Sequence, residues 1–227
     1  MNSEDIIKLY QDFLNNKDFP CVAARAAITR QQVKYLVVDH MACPKDDTQI
    51  LDFLYQFVDY FRHTEELFHS AVIIFKQPEK ITESQFEELI WQRLQALANL
   101  DARQYNYDSR VDADPSSANF SFSLKEEAFF IIGLHPDSSR LARRFNYPAL
   151  VFNPHAQFEQ MRDMGNYNKI QNIVRKRDIA LSGSINPMLK NYGEASEVYQ
   201  YSGKQYGTSW QCPLNLNHAK INSNSAA

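Results

Sequence analysis

Apolar residues recur at helical spacing over residues 3–15, where Ile6, Ile7, Tyr10, Phe13 and Leu14 form one stripe and Ser3 is placed to cap the helix. Phe19-Pro20-Cys21 breaks that helix, since proline cannot continue one, and starts another over residues 23–28 with Cys21 near its N-terminus. Residues 34–40 are β-branched and apolar enough for a strand. Residues 46–68 read as a long amphipathic helix carrying Leu51, Leu54, Tyr55 and Val58, and residues 70–75 as a short buried strand. Thr82-x-x-Gln85 is a capping box opening a helix to about residue 100, with Phe86, Leu89, Ile90 and Leu94 on its buried side.

A polar loop over residues 101–117 follows. Phe120, Phe122 and Leu124 alternate with serines and predict a strand, paired as a hairpin with the apolar run 128–134. Pro136 is expected to open a helix reaching residue 145, before a strand at 148–152 and a helix at 155–163, which together make a β-α-β-α unit. Gly165 interrupts the pattern, a helix runs over 167–181, and Gly183 ends it. Beyond lies an irregular segment rich in Asn, Gly, Ser and Tyr. The expected architecture is α/β or α+β: one domain over residues 1–214, with a central mixed sheet of about five strands flanked by helices. Residues 215–227 are polar, without apolar periodicity, and are expected to form a flexible tail.

Composition narrows the classes of function. With 44% hydrophobic and 22% charged residues in 227, the chain has a globular balance and can bury a sizeable core. A net charge of −3 argues against the broad basic surface that nucleic acid requires. The start, Met1-Asn2-Ser3-Glu4-Asp5, is acidic where an export signal would be basic and then apolar. The longest apolar runs fall well short of the roughly 20 residues of a membrane helix. Cys21, Cys43 and Cys212 are an odd set without close pairing, which suits a reducing compartment, so the cytoplasm is expected.

The candidate chemistry gathers around two strand ends. His135 follows Ile131-Ile132-Gly133-Leu134, and His155 follows Val151-Phe152-Asn153-Pro154. If those strands are parallel and joined by a crossover, both imidazoles converge on one carboxyl edge, where open α/β sheets hold ligands. Between them Arg140, Arg143 and Arg144 recur at i, i+3 and i+4, a spacing that puts three guanidinium groups on one helix face, suited to carboxylates or phosphates. The same spacing also describes a merely solvated charged face. Cys21, near a helix N-terminus, is a candidate thiolate, with a buried inert thiol as its plain alternative; Cys212 is a weaker candidate of the same kind.

Longer blocks carry a resemblance. Gly133-Leu134-His135-Pro136-x-Ser138-Ser139-Arg140-x-Ala142-Arg143-Arg144-Phe145 and Pro148-Ala149-Leu150-Val151-Phe152-Asn153-x-His155-x-Gln157-Phe158-Glu159 resemble the YqcI/YcgG family. So do Phe19-Pro20-Cys21 with Ala24-x-Ala26, Arg177-Asp178, Gly183-Ser184-Ile185-Asn186-Pro187-Met188-Leu189, Ser196-Glu197, Gln200-Tyr201-Ser202-Gly203 and Trp210-x-Cys212-Pro213. The likeness runs from Phe19 to Pro213 and departs at Lys204, where the family usually has arginine, and at Leu214, where it typically has phenylalanine.

The resemblance implies haem-dependent N-hydroxylation of a guanidine in arginine or a related amino acid, with oxygen or peroxide as co-substrate and an unidentified electron donor. On that expectation His135 is the axial ligand of haem b, with His155 as competitor or distal proton donor. Arg140, Arg143 and Arg144, with Ser139 beside them, meet the propionates, and Cys21 stays a cofactor candidate. Glu159, Asp178 and Glu197 are candidate anchors for a substrate guanidinium, with Asn186 on the pocket wall. Asp178 could instead pair with Arg175 or Arg177, and Glu197 could be a solvated turn residue. Two other readings stand beside this one. His135, His155 and Glu159 could hold non-haem iron as two histidines and a carboxylate, or the protein could be a haem carrier or sensor without turnover. A homodimer is compatible with all three.

Overall fold

The structure, a computed structural model, describes residues 1–216. Five strands form one sheet in the order β1-β2-β5-β4-β3, where β1 is Val33–His40, β2 Ser70–Gln77, β3 Phe122–Leu124, β4 Glu127–Leu134 and β5 Ala149–Pro154. Seven α-helices flank it among the described residues: α1 (Ser3–Asn15), α2 (Val22–Thr29), α3 (Asp47–Arg62), α4 (Glu83–Asp101), α5 (His155–Asp163), α6 (Tyr167–Ser182) and α7 (Val198–Tyr201). The mixed α/β class and the five-stranded sheet are those expected from the sequence. The tail expected to be flexible falls almost wholly on residues 217–227, outside the described ones.

The period-two alternation of the strands sorts the core into two layers. Ile73, Phe75, Phe129, Ile131, Leu150 and Phe152 face α3, α4 and the C-terminal segment, while Val72, Ile74, Leu134, Ala149 and Val151 face α1 and α2. Helix α4 starts at the expected capping box: Gln85 N donates to Thr82 Oγ1 at 3.3 Å, and Thr82 N donates to Gln85 Oε1 at 3.1 Å. Two local expectations change. The cap of α1 is Asn2, whose Oδ1 accepts from Asp5 N at 2.8 Å, rather than Ser3. Helix α3 stops at Arg62 instead of running on to Phe68, which adopts a positive φ of 75°.

The larger correction concerns the connection from β4 to β5. No α-helix forms there; the only regular piece is a 3-10 turn at Leu141–Arg143. The strands pair antiparallel, with Leu134 opposite Ala149 and Phe129 opposite Pro154, so the β-α-β-α unit is absent. The reason lies in where its arginines bond. Arg143 donates to the carbonyls of Gly133 and Gln200 at 3.0 and 2.9 Å, and Arg144 Nε donates to Ser138 O at 3.0 Å. These bonds fold the segment onto the strand end it has just left. The parallel pair of the sheet is β1 and β2, joined through α3.

Candidate functional site

A chamber of about 270 Å³, open on one side, lies between the α1/α2 face of the sheet and helices α1, α2, α5 and α6. Its floor includes Val33, Ile132, Leu134 and Val151. Its existence follows from α2, whose sequence VAARAAIT is a strong helix former that presents Ala23, Ala24 and Ala27 to the space and cannot fill it. Phe158 and Met161 of α5 and Val174 of α6 complete apolar walls.

Polar groups interrupt those walls at several points, and two of them are chemically distinctive. Cys21 is the N-cap of α2, its Sγ accepting from Ala24 N at 3.4 Å. Burial pushes the Cys21 thiol above its ordinary pKa, while the backbone N–H groups of Ala24 and Ala23 pull the other way. At the rim, Arg140 Nη2 donates to Asp178 Oδ2 at 2.7 Å and to Ser184 O at 2.9 Å, with both side chains of the pair about nine-tenths buried. Asp178 also accepts from Asn186 N at 3.1 Å and Ser182 Oγ at 3.3 Å. It therefore pairs with Arg140, not with Arg175 or Arg177.

Of the expected site residues, Cys21, Arg140, Arg143, Asp178 and Asn186 line this chamber together. The histidines do not. Because β4 and β5 are antiparallel, His135 and His155 stand at opposite ends of the sheet, beyond the strand ends Leu134 and Pro154, which lie roughly 17 Å apart along the strands by the register. His135 is fully buried, stacked on Phe86 at 4.4 Å between ring centroids. Burial is the first cause that drops its pKa to about 4. His155 is buried at the other end, Nε2 3.5 Å from Glu159 and Nδ1 3.7 Å from Glu197, under the ring of Tyr192. The two-histidine, one-carboxylate constellation does not come together.

The remaining expectations also shift. Arg143 stays within the chamber lining but its guanidinium is taken up by backbone carbonyls, and burial lowers its pKa to about 10. Arg144 is likewise bonded to the backbone, and Ser139 donates through N and Oγ to Glu83 at 3.0 and 2.7 Å. There is no three-arginine helix face. Glu197 is buried instead of occupying a solvated turn, accepting from Ser121 Oγ at 2.9 Å. Sequence reasoning missed the polar floor, where Ser70 Oγ donates to Asn153 Oδ1 at 2.7 Å and Gln157 Nε2 donates to His69 O at 3.0 Å. Its signal was a serine and an asparagine interrupting otherwise apolar strands.

The fold and this chamber together define a mixed-sheet α/β protein with a largely apolar chamber whose thiol caps α2 and whose ion pair joins the β4–β5 connection to α6. The chain belongs to the YqcI/YcgG family, which matches over residues 10–215. It is also similar to the uncharacterized protein YqcI of Bacillus subtilis strain 168, with 26% identity over 208 residues that cover 86% of this chain and 80% of that protein. No solved structure matches the chain. Among the described residues no helix is long and apolar enough to cross a membrane.

Proposed function

We propose that the protein is a haem-binding oxygenase that adds one oxygen atom to a nitrogen of a small guanidine- or amine-containing substrate, with the chamber as the cofactor site. The observation that carries this reading is Cys21, a thiol at a helix N-cap on the wall of an otherwise apolar space with a guanidinium at its rim. The family resemblance implies the haem. The donor set fits it: thiolate ligates haem iron in hydroxylating proteins, backbone N–H groups at sulfur tune such a ligand, and Arg140 has donors left for a carboxylate. At about 270 Å³ the chamber lies just below the range usual for ligand sites, so it would have to open further to hold haem. His135 and His155, outside the chamber lining, give way to Cys21 as the proposed ligand.

When bound, haem supplies the activation of oxygen or peroxide. The chain's own groups do the rest. Cys21 must lose its proton to ligate, and burial opposes that loss, so loading is expected to strengthen as pH rises. Arg140 would exchange Asp178 for a propionate, and the released Asp178 carboxylate can hold a substrate guanidinium. Leu14, Phe158, Met161 and Leu189 exclude water. With oxygen as oxidant, two electrons and two protons from an external reductant convert the second oxygen atom to water; with peroxide none is needed. Three free cysteines suit action in the reducing cytoplasm.

A second reading, a haem carrier or sensor, is favoured by one observation: Asp178 is already engaged by Arg140, Ser182 and Asn186. The test is the visible spectrum of protein expressed with haem supply. A Soret band that is lost or moved in Cys21→Ala and kept in His155→Ala supports the assignment. No band after reconstitution, or one indifferent to Cys21→Ala, overturns it. Incubation with arginine and related guanidines, reductant and oxygen should give a product heavier by one oxygen atom; its absence across substrates leaves the carrier.

A further inference from the structure

A second cavity adjoins the chamber and is more polar, although Leu141, Leu181 and Pro187 also line it. It measures about 440 Å³ and is lined by Ser139 and Arg140 of the β4–β5 connection, Ser182, Ser184 and Asn186 at and beyond the end of α6, and Gln205 beyond α7. Arg140 and Asn186 line both spaces, so this guanidinium stands at the partition between them. No aspartate or glutamate lines the cleft.

The donors there are unevenly used. Ser139 Oγ is committed to Glu83 and Ser182 Oγ to Asp178. Arg140 works through Nη2 alone, and among the described residues its Nε and Nη1 donate to nothing. The same holds for the Ser184 hydroxyl, the Asn186 side-chain amide and that of Gln205, which is exposed. A second positive charge lies close by, already bonded to backbone carbonyls: Arg143 Nη1 would be 3.7 Å from a Cβ placed on Gly203, which lines the cleft. The carboxylates that bond to this lining, Asp178 and Glu83, are engaged by Arg140 and Ser139.

One guanidinium with several spare neutral donors and no lining carboxylate suits an anion rich in acceptor oxygens. A phosphate ester, with three such oxygens and up to two charges, satisfies that set better than a carboxylate with two oxygens and one charge. The geometry points to a binding site for a small phosphorylated molecule in this cleft, with Arg140 as its charged anchor and Asp178 as the internal carboxylate it competes with. This site goes beyond the haem reading and needs no cofactor.

The test titrates inorganic phosphate, and separately succinate, into the full chain purified without added haem, followed by calorimetry at low chloride. Phosphate is expected to saturate one site and to bind more tightly than succinate. Arg140→Gln should weaken phosphate by about tenfold or more, and Asp178→Asn, which removes the competitor, should tighten it several-fold. Gln205→Glu places a negative charge in the cleft from an exposed position, so it should weaken phosphate several-fold without changing the melting temperature; it covers the case in which Arg140→Gln fails to fold. No saturable binding, succinate binding as tight as phosphate, or a phosphate affinity indifferent to Gln205→Glu overturns the site. Haem loading, read by absorption on separate samples, is expected to ignore Gln205→Glu, so the two readings fail separately.

Discussion

Both faces of one sheet carry a cluster of buried apolar residues, but the α1/α2 face also keeps a chamber. On the α3/α4 face Phe86, Phe120, Phe122, Phe129 and Phe152 are fully buried and interlock with Trp91 and Tyr201. Gly133 is needed there because a side chain would come within 2.7 Å of the Phe86 ring and 2.8 Å of Tyr201 O. On the α1/α2 face the alanines of α2 stand where bulk would be required, and a chamber remains. Side-chain volume, more than hydrophobicity, decides where this fold keeps a space.

The comparison can be broken most forcefully from the closed face. Phe86→Ala should lower the free energy of unfolding by about 3–5 kcal/mol in urea titrations, as for other large-to-small core changes. A loss under about 1 kcal/mol would mean that this face is no tighter than the other. Next comes acid. The folded His135 imidazole takes a proton only near pH 4, against about 6.5 when unfolded. Its contribution is therefore fully present above pH 6.5 and is lost as pH falls toward 4, on the order of 2–3 kcal/mol. His69, also buried with its pKa lowered by burial, adds in the same direction. Denaturation midpoints across that range should show the loss, and His135→Leu should flatten it.

Smaller effects belong to the open side. Arg140→Gln removes one partner of the ion pair but leaves Asp178 bonded to Ser182 and Asn186, so a loss of about 1–2 kcal/mol is expected by the same titration. Ala24→Leu should change stability by less than about 1 kcal/mol while impairing haem loading, because the added atoms enter existing space. A destabilisation typical of an overfilled core would show that the space is not there. Cys21→Ser, which keeps a side-chain cap on α2, should leave stability within about 0.5 kcal/mol and so separate the capping role of Cys21 from any role at a cofactor.

Much of this architecture was readable in the chain. The stripe of α1, the Thr82–Gln85 box and the αL glycine at Gly183 each specify their element through contacts a few residues apart. The direction of β5 was not legible, because it depends on the connection after His135. There Arg140, Arg143 and Arg144 imitate a helical period, while all three bond to backbone carbonyls, Arg143 as far away as Gln200. That single difference moved the two histidines to opposite ends of the sheet. Arg140 was still found by its spacing, and Asp178 and Asn186 by the family-like blocks that hold them; what brings them beside Cys21 is the docking of α6, which no local pattern encodes.

Helix α6 has Asp178 as its one buried residue, and its inner side is tied by Arg140 and by Arg177 to the carbonyls of Phe19 and Lys17. A helix moored by charges and dipoles, with few buried apolar side chains of its own, responds to electrolyte where an aromatic seam does not. Added salt should therefore quicken amide exchange along this helix, while the interior strand β2 keeps its protection.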